Sequence, residues 1–352
     1  ASTSRTSSLQ LRPARPPDDE ARDALVRRLP GGSPFHLSAW RRAVERCFGH
    51  QPCDLLAIED DEPVGVLPLM RCRSPRGRST LLTMPDGVYG GALGTRPEVA
   101  LALPRRAVEQ ARSERVRRLE LRCVEAPELE GLVPHDLYAT FLRELPAAPE
   151  QVLASLPKKA RAEARKARER HGLQLREGPW YLDDLVRLFH RNKRALGSPG
   201  LPRRFFAELA RQLAPDVRVH AVHAGRAPVA AVMSFVWRDT LLAYYAGSAE
   251  GADRELSASN FMYMALQEWA VEQGLRRFDF GRSRKDSGAF QFKRHQGFEP
   301  RDLPYRVLLV GDRRPPSFTP SNPRTRWLRE TWSRLPLWAT VRLSGALAPY
   351  LP

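Results

Sequence analysis

Cysteine and long apolar runs are scarce in this sequence. The 352 residues include four cysteines, all in the first half, and none forms a CxxC pair or a cysteine and histidine cluster with zinc-site spacing. No apolar run approaches the roughly 20 residues that span a bilayer. The sequence therefore predicts reduced, buried thiols, no metal site and no transmembrane segment.

Acidic residues are few beside basic ones. The chain has 57 lysines and arginines against 40 acidic residues, so its formal net charge is +17 and its pI is about 10.5. Such an excess attracts polyanions such as RNA, phosphorylated substrates or anionic lipid. The apolar share of 42% is ordinary for a globular protein, and the length suits two domains of about 150 residues each.

The amino-terminal segment lacks the apolar stretch of a secretion signal. Residues 1–17 are rich in serine, arginine and proline, and we expect them to form a disordered lead. We therefore expect a cytoplasmic location, and contact with the inner face of the membrane stays open.

Two segments of the chain resemble each other. AIEDDEPVGVLPLM at residues 57–70 and AVHAGRAPVAAVMSFV at residues 221–236 both have the pattern strand, polar turn, Pro-Val, strand. Each predicts a β-hairpin, and a segment with tyrosine and small residues follows each one, at residues 88–94 and 244–249. Strands that alternate with helices in both halves predict an α/β fold with mixed central sheets.

The basic segment PKKARAEARKARERHG separates the halves. Strong helix formers between a proline start and a glycine stop predict a junction helix over residues 157–172. We expect an N-terminal domain at residues 18–156 and a C-terminal domain at residues 173–311. Residues 312–352 are expected to form a proline-rich linker and a basic, tryptophan-bearing tail, which lies on an anionic membrane or packs on the second half.

The second half contains a helix, a strand and a charged loop in sequence. Ser259 or Asn260 can cap a helix that ends at Gly274, and the strand RRFDFG follows at once. After the loop, a helix from Ser287 to Gln296 is the preferred interpretation, although the alternation FQFK also permits a strand.

Several motifs stand in the order found in one family. FDFGRS, FK and GFEP in residues 278–300 resemble the C-terminal signature of the FemAB-like GNAT acyltransferases, most of all the subgroup associated with exosortase and exopolysaccharide systems. The sequence departs from that family's pattern at His295 and Gln296, where an aromatic residue commonly precedes the glycine. Further matches are FGH at residues 48–50, YGG at 89–91, KxRxxxRK at 159–166, a YxGS-like element at 245–248 and SNFMY at 259–263.

The resemblance implies two tandem GNAT-like domains and amide formation, in which a neutral amine attacks an activated acyl carbonyl. Negative charge gathers on the carbonyl oxygen in the transition state, where a positioned cation stabilises it. Lys293, the lysine of FK, is the candidate for this catalytic role, and a solvated helix lysine is the alternative. Asp279 would orient the amine or accept its proton, unless it is a turn or cap residue.

Other positions are candidates for binding the donor or the substrate. Arg282 and Ser283 could hold a phosphate or a carboxylate, although a surface charge cluster explains them nearly as well. Tyr245 and Asn260 are candidate pocket residues, with packing and capping as the alternatives. Tyr89 of the YGG motif is the candidate in the first half.

The basic junction helix supplies a further candidate binding surface. Arg161, Arg165 and Arg168 share one stripe at helical spacing, and Lys158 extends it. Lys166 of the same helix is a further candidate binding residue. The helix could bind a diphosphate, a tRNA backbone or lipid head groups, although a solvated face is the commoner cause of such a run.

The acyl donor stays open. Single-domain GNATs wrap the pyrophosphate of acetyl-CoA with a (Q/R)xxGx(G/A) motif, and RALGSP and RHQGFE both fail at its last position. The absence of this motif favours aminoacyl-tRNA or an acyl carrier, whereas the absence of the long coiled-coil arm of some tRNA-dependent members argues against tRNA. Acyl-CoA and aminoacyl-tRNA both stay candidate co-substrates, and no permanently bound cofactor is expected. The oligomeric state is not predicted.

The first hypothesis for the acceptor is an amine of a cell-envelope precursor, either a peptidoglycan peptide or an amino sugar of a surface polysaccharide. The resemblance supports the class of reaction and not the substrate. One alternative is an acyl-CoA-dependent N-acetyltransferase of exopolysaccharide amino sugars. The other is a non-catalytic, basic module that binds RNA or membrane, which the presence of Lys293 disfavours.

Overall fold

The computed structural model describes residues 8–73, 77–313 and 323–351, which divide into two compact units. Unit 1 consists of three segments of the chain: the residues up to Asp136, a segment that begins at Leu303 and the last residues from Pro349. Unit 2 takes Leu137–Asp302 and the last part of the chain up to Ala348.

Unit 1 is a mixed α/β unit with two sheets. The first sheet has the strand order β1-β3-β4-β7, and the second has the order β2-β5-β6-β8-β19-β9. Its described strands are β1 (Gln10–Pro13), β2 (Gln51–Pro52), β3 (Leu55–Glu59), β4 (Glu62–Leu67), β5 (Met70–Cys72), β6 (Thr80–Leu82), β7 (Leu93–Gly94), β8 (Arg118–Leu121), β9 (Leu132–Pro134) and β19 (Arg306–Leu309). Its described helices are α1 (Asp19–Arg28), α2 (Ser38–Phe48) and α3 (Pro97–Ser113).

The core of unit 1 lies between helix α3 and the strands. Val99, Leu103, Ala107 and Ala111 recur every four residues, so they share one face of α3. That face is buried together with apolar side chains of β3, β4 and β8.

Unit 2 contains the longer strands. Its main sheet has the order β11-β16-β15-β14-β13-β12, and a small sheet has the order β17-β10-β18. The described strands are β10 (Tyr138–Thr140), β11 (Leu142–Glu144), β12 (Gln174–Glu177), β13 (Val217–Ala224), β14 (Ala227–Trp237), β15 (Thr240–Ser248), β16 (Arg277–Asp279), β17 (Ser283–Arg284) and β18 (Arg301–Asp302). The described helices are α4 (Glu150–Ser155), α5 (Lys158–Glu169), α6 (Leu182–Ala195), α7 (Arg203–Gln212), α8 (Ala252–Leu256), α9 (Ala258–Glu272), α10 (Gly288–His295), α11 (Pro323–Arg334) and α12 (Leu337–Leu347).

Both predicted hairpins are confirmed, and they share a detail that the sequence repeat did not reveal. In β3–β4 the register shifts next to the Ile58–Pro63 pair, and in β13–β14 it shifts next to the His223–Pro228 pair. Proline has no N–H to give to a ladder, so strands accept it at a bulge. The repeated Pro-Val therefore marks the same irregularity in both units.

The amino-terminal lead does not fit the expectation of disorder throughout residues 1–17. Gln10–Pro13 forms β1, which pairs antiparallel with β3 and joins the sheet of unit 1. Main-chain pairing gives this polar segment an order that its composition does not predict. Residues 1–7 of the expected lead lie outside the described residues.

The units divide the chain at other positions than we expected. Unit 2 begins at Leu137 because β10 and β11 pair with β17, β18 and β16, far along the chain. Strand β19 pairs with β8 and β9 and so belongs to unit 1. The expected junction helix, α5, lies inside unit 2, where its buried Ala160, Ala164 and Ala167 pack against α9.

The expected linker and tail contain two helices. Part of the expected linker, residues 314–322, lies outside the described residues. Helices α11 and α12 both contact α6 of unit 2. In the described chain, none of the helices is both long and apolar enough to span a membrane.

Candidate active site at the end of strand β16

Strands β15 and β16 run side by side and then part. They pair in parallel from Thr240 to Leu242, whereas β15 has nine residues and continues to Ser248. The register of β15 against β14 shifts around Tyr244. Beyond Leu242, β15 therefore has no strand partner on this side among the described residues, and the loop after β16 occupies the region beside Tyr244.

Asp279, the last residue of β16, shapes that loop. Its carboxylate Oδ1 accepts the Gly281 N–H at 2.6 Å and lies 3.5 Å from the Thr140 hydroxyl. Gly281 has a φ of +62°, a left-handed conformation that favours glycine. The buried Asp279 thus makes the local turn contact expected of an aspartate at a strand end. Its role toward an amine stays a prediction.

Helix α10 brings Lys293 back to the same loop. Ser287 caps the helix by accepting the Phe290 N–H at 3.2 Å, and the helix itself confirms the preferred interpretation and excludes the alternative strand. The Lys293 ammonium donates to the main-chain carbonyls of Phe280 at 2.7 Å, Gly281 at 3.2 Å and Arg282 at 3.3 Å. Lys293 is therefore buried against the loop and is not the solvated helix lysine of the alternative interpretation.

The surroundings of Lys293 act on its charge in opposite ways. Burial lowers the pKa of Lys293 to about 7, and the charge of Asp279 opposes that shift. The rings of Phe141 and Phe280 lie 5.4 and 5.5 Å from Nζ, within the range of a cation–π contact. Three carbonyl acceptors match the three protons of an ammonium, which favours the charged form.

The loop between β16 and α10 is less cationic than its sequence suggests. Arg284 pairs with Asp286 at 2.9 Å, and Lys285 pairs with Asp302 at 2.9 Å. The Arg282 guanidinium lies 4.7 Å from the centre of the Tyr138 ring. Ser283 is buried and pairs through its main chain with β10. Anion binding by Arg282 and Ser283 stays a prediction.

Asn260 connects helix α9 to helix α10. Its side-chain oxygen accepts a hydrogen bond from the Gln296 amide at 2.6 Å. The expected capping role was wrong, because α9 begins at Ala258 and Asp253 accepts the Ser259 N–H at 2.7 Å. Gln296 is buried at this junction. Its side chain therefore connects the carboxyl end of α10 to the amino end of α9.

Tyr245 is buried in an aromatic cluster. Its ring makes edge contacts with Phe189, Phe205, Phe206 and Tyr244. This environment corresponds to the packing alternative, whereas Tyr244 beside it lies against Gly281. A ligand contact by Tyr245 stays a prediction.

The basic face of α5 begins beside α10. Pro157, at the amino end of α5, lies so close to Gly297 that a Cβ there would be 2.9 Å from the proline ring. Arg165 and Lys166 are exposed and Arg161 is half-buried. These three residues form no ion pair within the part of the chain that the structure describes. Arg168 differs, because it pairs with Glu268 of α9.

Tyr89 belongs to unit 1. It lines a cavity of about 410 Å³ together with His36, Gly91 and Cys123. Burial lowers the pKa of His36 to about 4, and its ring hydrogen-bonds Ser33 and the Gly91 carbonyl at 2.7 and 2.9 Å. A binding role for Tyr89 stays a prediction.

Sequence reasoning missed the contribution of β10 and its neighbours. Tyr138, Thr140 and Phe141 contact Arg282, Asp279 and Lys293, yet they precede the expected C-terminal domain. The short run YATFLRE has strand character, which is the signal that could have found them.

Comparisons with known proteins agree with this architecture. Residues 154–294 match the family model of the acetyltransferase (GNAT) domain. The structure of FemX has a TM-score of 0.64 at 14% identity and covers 91% of this chain and 100% of its own. A tandem GNAT protein from the clavulanic acid biosynthesis pathway has a TM-score of 0.50 at 16% identity, with 87% and 100% covered.

L-PGS from Bacillus licheniformis is a further structural neighbour. It has a TM-score of 0.51 at 14% identity and covers 91% of this chain and 98% of its own. No curated protein matches the chain in sequence. The fold is a tandem of two GNAT-like domains, and the chain carries a GNAT-type acyltransferase domain that includes Lys293.

Proposed function

We propose that this protein is an N-acyltransferase that forms an amide between an activated acyl or aminoacyl donor and an amine of a cell-envelope precursor. The match of residues 154–294 to the GNAT acetyltransferase domain carries the class of reaction. The motif order described above supports the same class, and the acceptor that we propose is a peptidoglycan peptide or an amino sugar of a surface polysaccharide. The structural neighbours support the fold alone.

The parting of β15 and β16 suits an extended, amide-bearing ligand. The stretch from Ala243 to Ser248 is unpaired on the β16 side among the described residues, so its main-chain groups face outward from the ladder. Such groups can bind an extended chain in the manner of an added strand. We assign the acyl donor to this edge, with its carbonyl directed toward the loop of residues 280–282.

Lys293 is the residue that we assign to the oxyanion. One of its donor contacts is short, to Phe280 at 2.7 Å, and the other two are longer, at 3.2 and 3.3 Å. An oxyanion is a stronger acceptor for the ammonium than a neutral main-chain carbonyl, because two opposite full charges attract each other directly. The ammonium can therefore keep Phe280 as its anchor and exchange a longer contact for the developing charge.

The donor also requires a site for phosphate. Acyl-CoA is the co-substrate typical of the GNAT fold, and aminoacyl-tRNA is the alternative that the resemblance to the FemAB-like proteins implies. Both are polyanions, and the unpaired Arg165 and Lys166 of α5 suit either one. We propose that this basic face holds the donor phosphates.

A two-donor assay tests the proposal. Purified protein is incubated with acetyl-CoA or with charged tRNA, each with a lysine-containing peptidoglycan peptide and with glucosamine, and mass gain on the amine is measured. We expect product with one donor class. No product with either donor would favour the non-catalytic module and contradict the proposal.

Variants of α5 then test the donor site. Replacing Arg165 and Lys166 together by alanine should raise the KM of the donor about tenfold, because exposed charge pairs contribute about 0.2 to 1 kcal/mol each and about 1.4 kcal/mol corresponds to a factor of ten. Arg226→Ala, in the exposed turn of the β13–β14 hairpin, is the matched control. If the double variant and Arg226→Ala had the same KM for the donor, α5 would not be the donor-binding site.

A further inference from the structure

Helix α12 has an inverted pattern of burial. Its small side chains Thr340 and Ser344 are buried, and Ala348 continues that face one turn later. Ser344 accepts the Gly200 N–H at 3.0 Å through its hydroxyl, and the Thr340 hydroxyl donates to the Leu337 carbonyl at 2.8 Å. The large side chains of Trp338, Leu343 and Leu347 point to solvent instead. A helix that packs only against protein buries its large apolar residues.

Helix α11 and the end of α6 extend this exposed apolar surface. Trp327 is 63% exposed and Leu328 is 50% exposed. Leu196 is exposed beside Gly197, where a Cβ would lie 2.7 Å from the Arg329 main chain, so the end of α6 touches α11. In the described part of unit 2, Trp180 is the one large exposed apolar side chain outside this surface.

The same two helices are strongly basic. The sequence of residues 323–348 contains five arginines and one acidic residue, Glu330. Glu330 pairs with Arg326 at 2.8 Å. Arg342 is exposed between Trp338 and Leu343 and makes no ion pair within the described residues. The surface is therefore apolar and cationic at once.

We propose that helices α11 and α12 form a docking surface for an anionic lipid bilayer. Exposed tryptophan and leucine together with arginine is the composition of helices that lie in the interface of an anionic membrane. With 11 residues, α12 is about 16 Å long and too short to cross a bilayer. A second copy of the chain fits poorly, because two such surfaces would bring like charges together.

Vesicle sedimentation with the full chain tests this surface. Phosphatidylcholine vesicles with and without phosphatidylglycerol are the probes, at several salt concentrations. We expect binding to the anionic vesicles that weakens as salt rises. Replacing Trp327 and Trp338 together by serine should weaken that binding at least about tenfold.

Trp180→Ser is the matched control, because Trp180 is 71% exposed and Trp338 is 69% exposed. Arg342→Gln should weaken binding about fivefold and leaves the apolar side chains in place. Equal binding of the double variant and the Trp180 control would overturn the proposal, as would equal binding to neutral vesicles. Light scattering, which measures self-association, is a third test. If the parent protein associates with itself and the double variant does not, the surface is an interface between copies and the proposal is overturned.

Discussion

The two units share an order of elements but use it for different purposes. In each, a hairpin with a proline bulge precedes a long helix, and the strand after that helix has a buried charge at its end. In unit 1 that strand is β8, where Arg122 Nε binds Glu120 Oε1 at 3.1 Å and Nη1 donates to the Gly87 carbonyl at 3.1 Å. In unit 2 the strand is β16, and its cation comes from a separate helix.

The buried cations of the two units, Arg122 and Lys293, differ in the groups that they bind. Arg122 is joined to a carboxylate two residues away, and a buried ion pair of this kind is fixed by its own geometry. Lys293 is joined to neutral carbonyls of a loop, which it can exchange for an incoming anion. We therefore expect the strand end of unit 1 to serve folding and that of unit 2 to serve the reaction.

Breaking the ion pair between Arg122 and Glu120 in unit 1 should give the largest effect. We expect it to lower stability and to leave turnover unchanged. Glu120→Ala leaves Arg122 buried without its carboxylate, which should lower the free energy of unfolding by about 3 to 5 kcal/mol. The carboxylate is charged in the native state, because Arg122 lowers its pKa although burial alone would raise it. Denaturant unfolding measures the loss.

Glu109→Ala is the control for that variant. Glu109 pairs with Arg106 on the exposed side of α3, where an ion pair contributes about 1 kcal/mol or less. If Glu120→Ala lowered turnover at a temperature where it stays folded, unit 1 would take part in the reaction and the comparison would fail.

Lys293→Met should act on the reaction more than on the fold. Removing one oxyanion donor costs about a hundredfold to a thousandfold in turnover. Methionine keeps most of the side-chain volume, so we expect a reduced kcat with a nearly unchanged KM. Steady-state kinetics and thermal unfolding of the same sample measure both consequences.

Arg294→Met, on the exposed side of the same helix, is the matched variant. It should keep the turnover of the parent protein. A Lys293→Met protein that loses stability but keeps its kcat would make Lys293 a positioning residue for the loop of residues 280–282 and not an oxyanion donor.

Local patterns predicted much of this fold, and contacts between distant residues account for the rest. The hairpins and the helix after Ser287 follow from alternation, turn residues and a glycine stop, which act within a few residues. The unit boundaries do not follow from local patterns, because β11 pairs with β16 across more than a hundred residues. The family resemblance made Lys293 the candidate catalytic residue but did not predict its burial, which depends on Phe141 and on carbonyls that no side-chain pattern reveals.

The most gradual expected effect, and the smallest for a single pH unit, is a dependence on pH with opposite signs for turnover and stability. Burial lowers the pKa of Lys293 to about 7, whereas a lysine in the unfolded chain titrates near 10.4. Between these values the unfolded state binds one more proton, so the free energy of unfolding rises with pH by up to about 1.4 kcal/mol per unit. In the same range the oxyanion loses its cation, and kcat should fall up to about tenfold per unit.

The opposite signs separate this effect from alkaline unfolding, which would lower turnover and stability together. The Lys293→Met protein supplies the baseline, because it lacks the titrating group and should lose both dependences. Denaturant unfolding and kcat, measured from pH 6 to pH 10 on both proteins, give the two differences. Equal pH dependence of kcat in the two proteins would mean that the charge of Lys293 does not act on the reaction, and the contrast between a fixed cation in unit 1 and an exchangeable one in unit 2 would then rest on geometry alone.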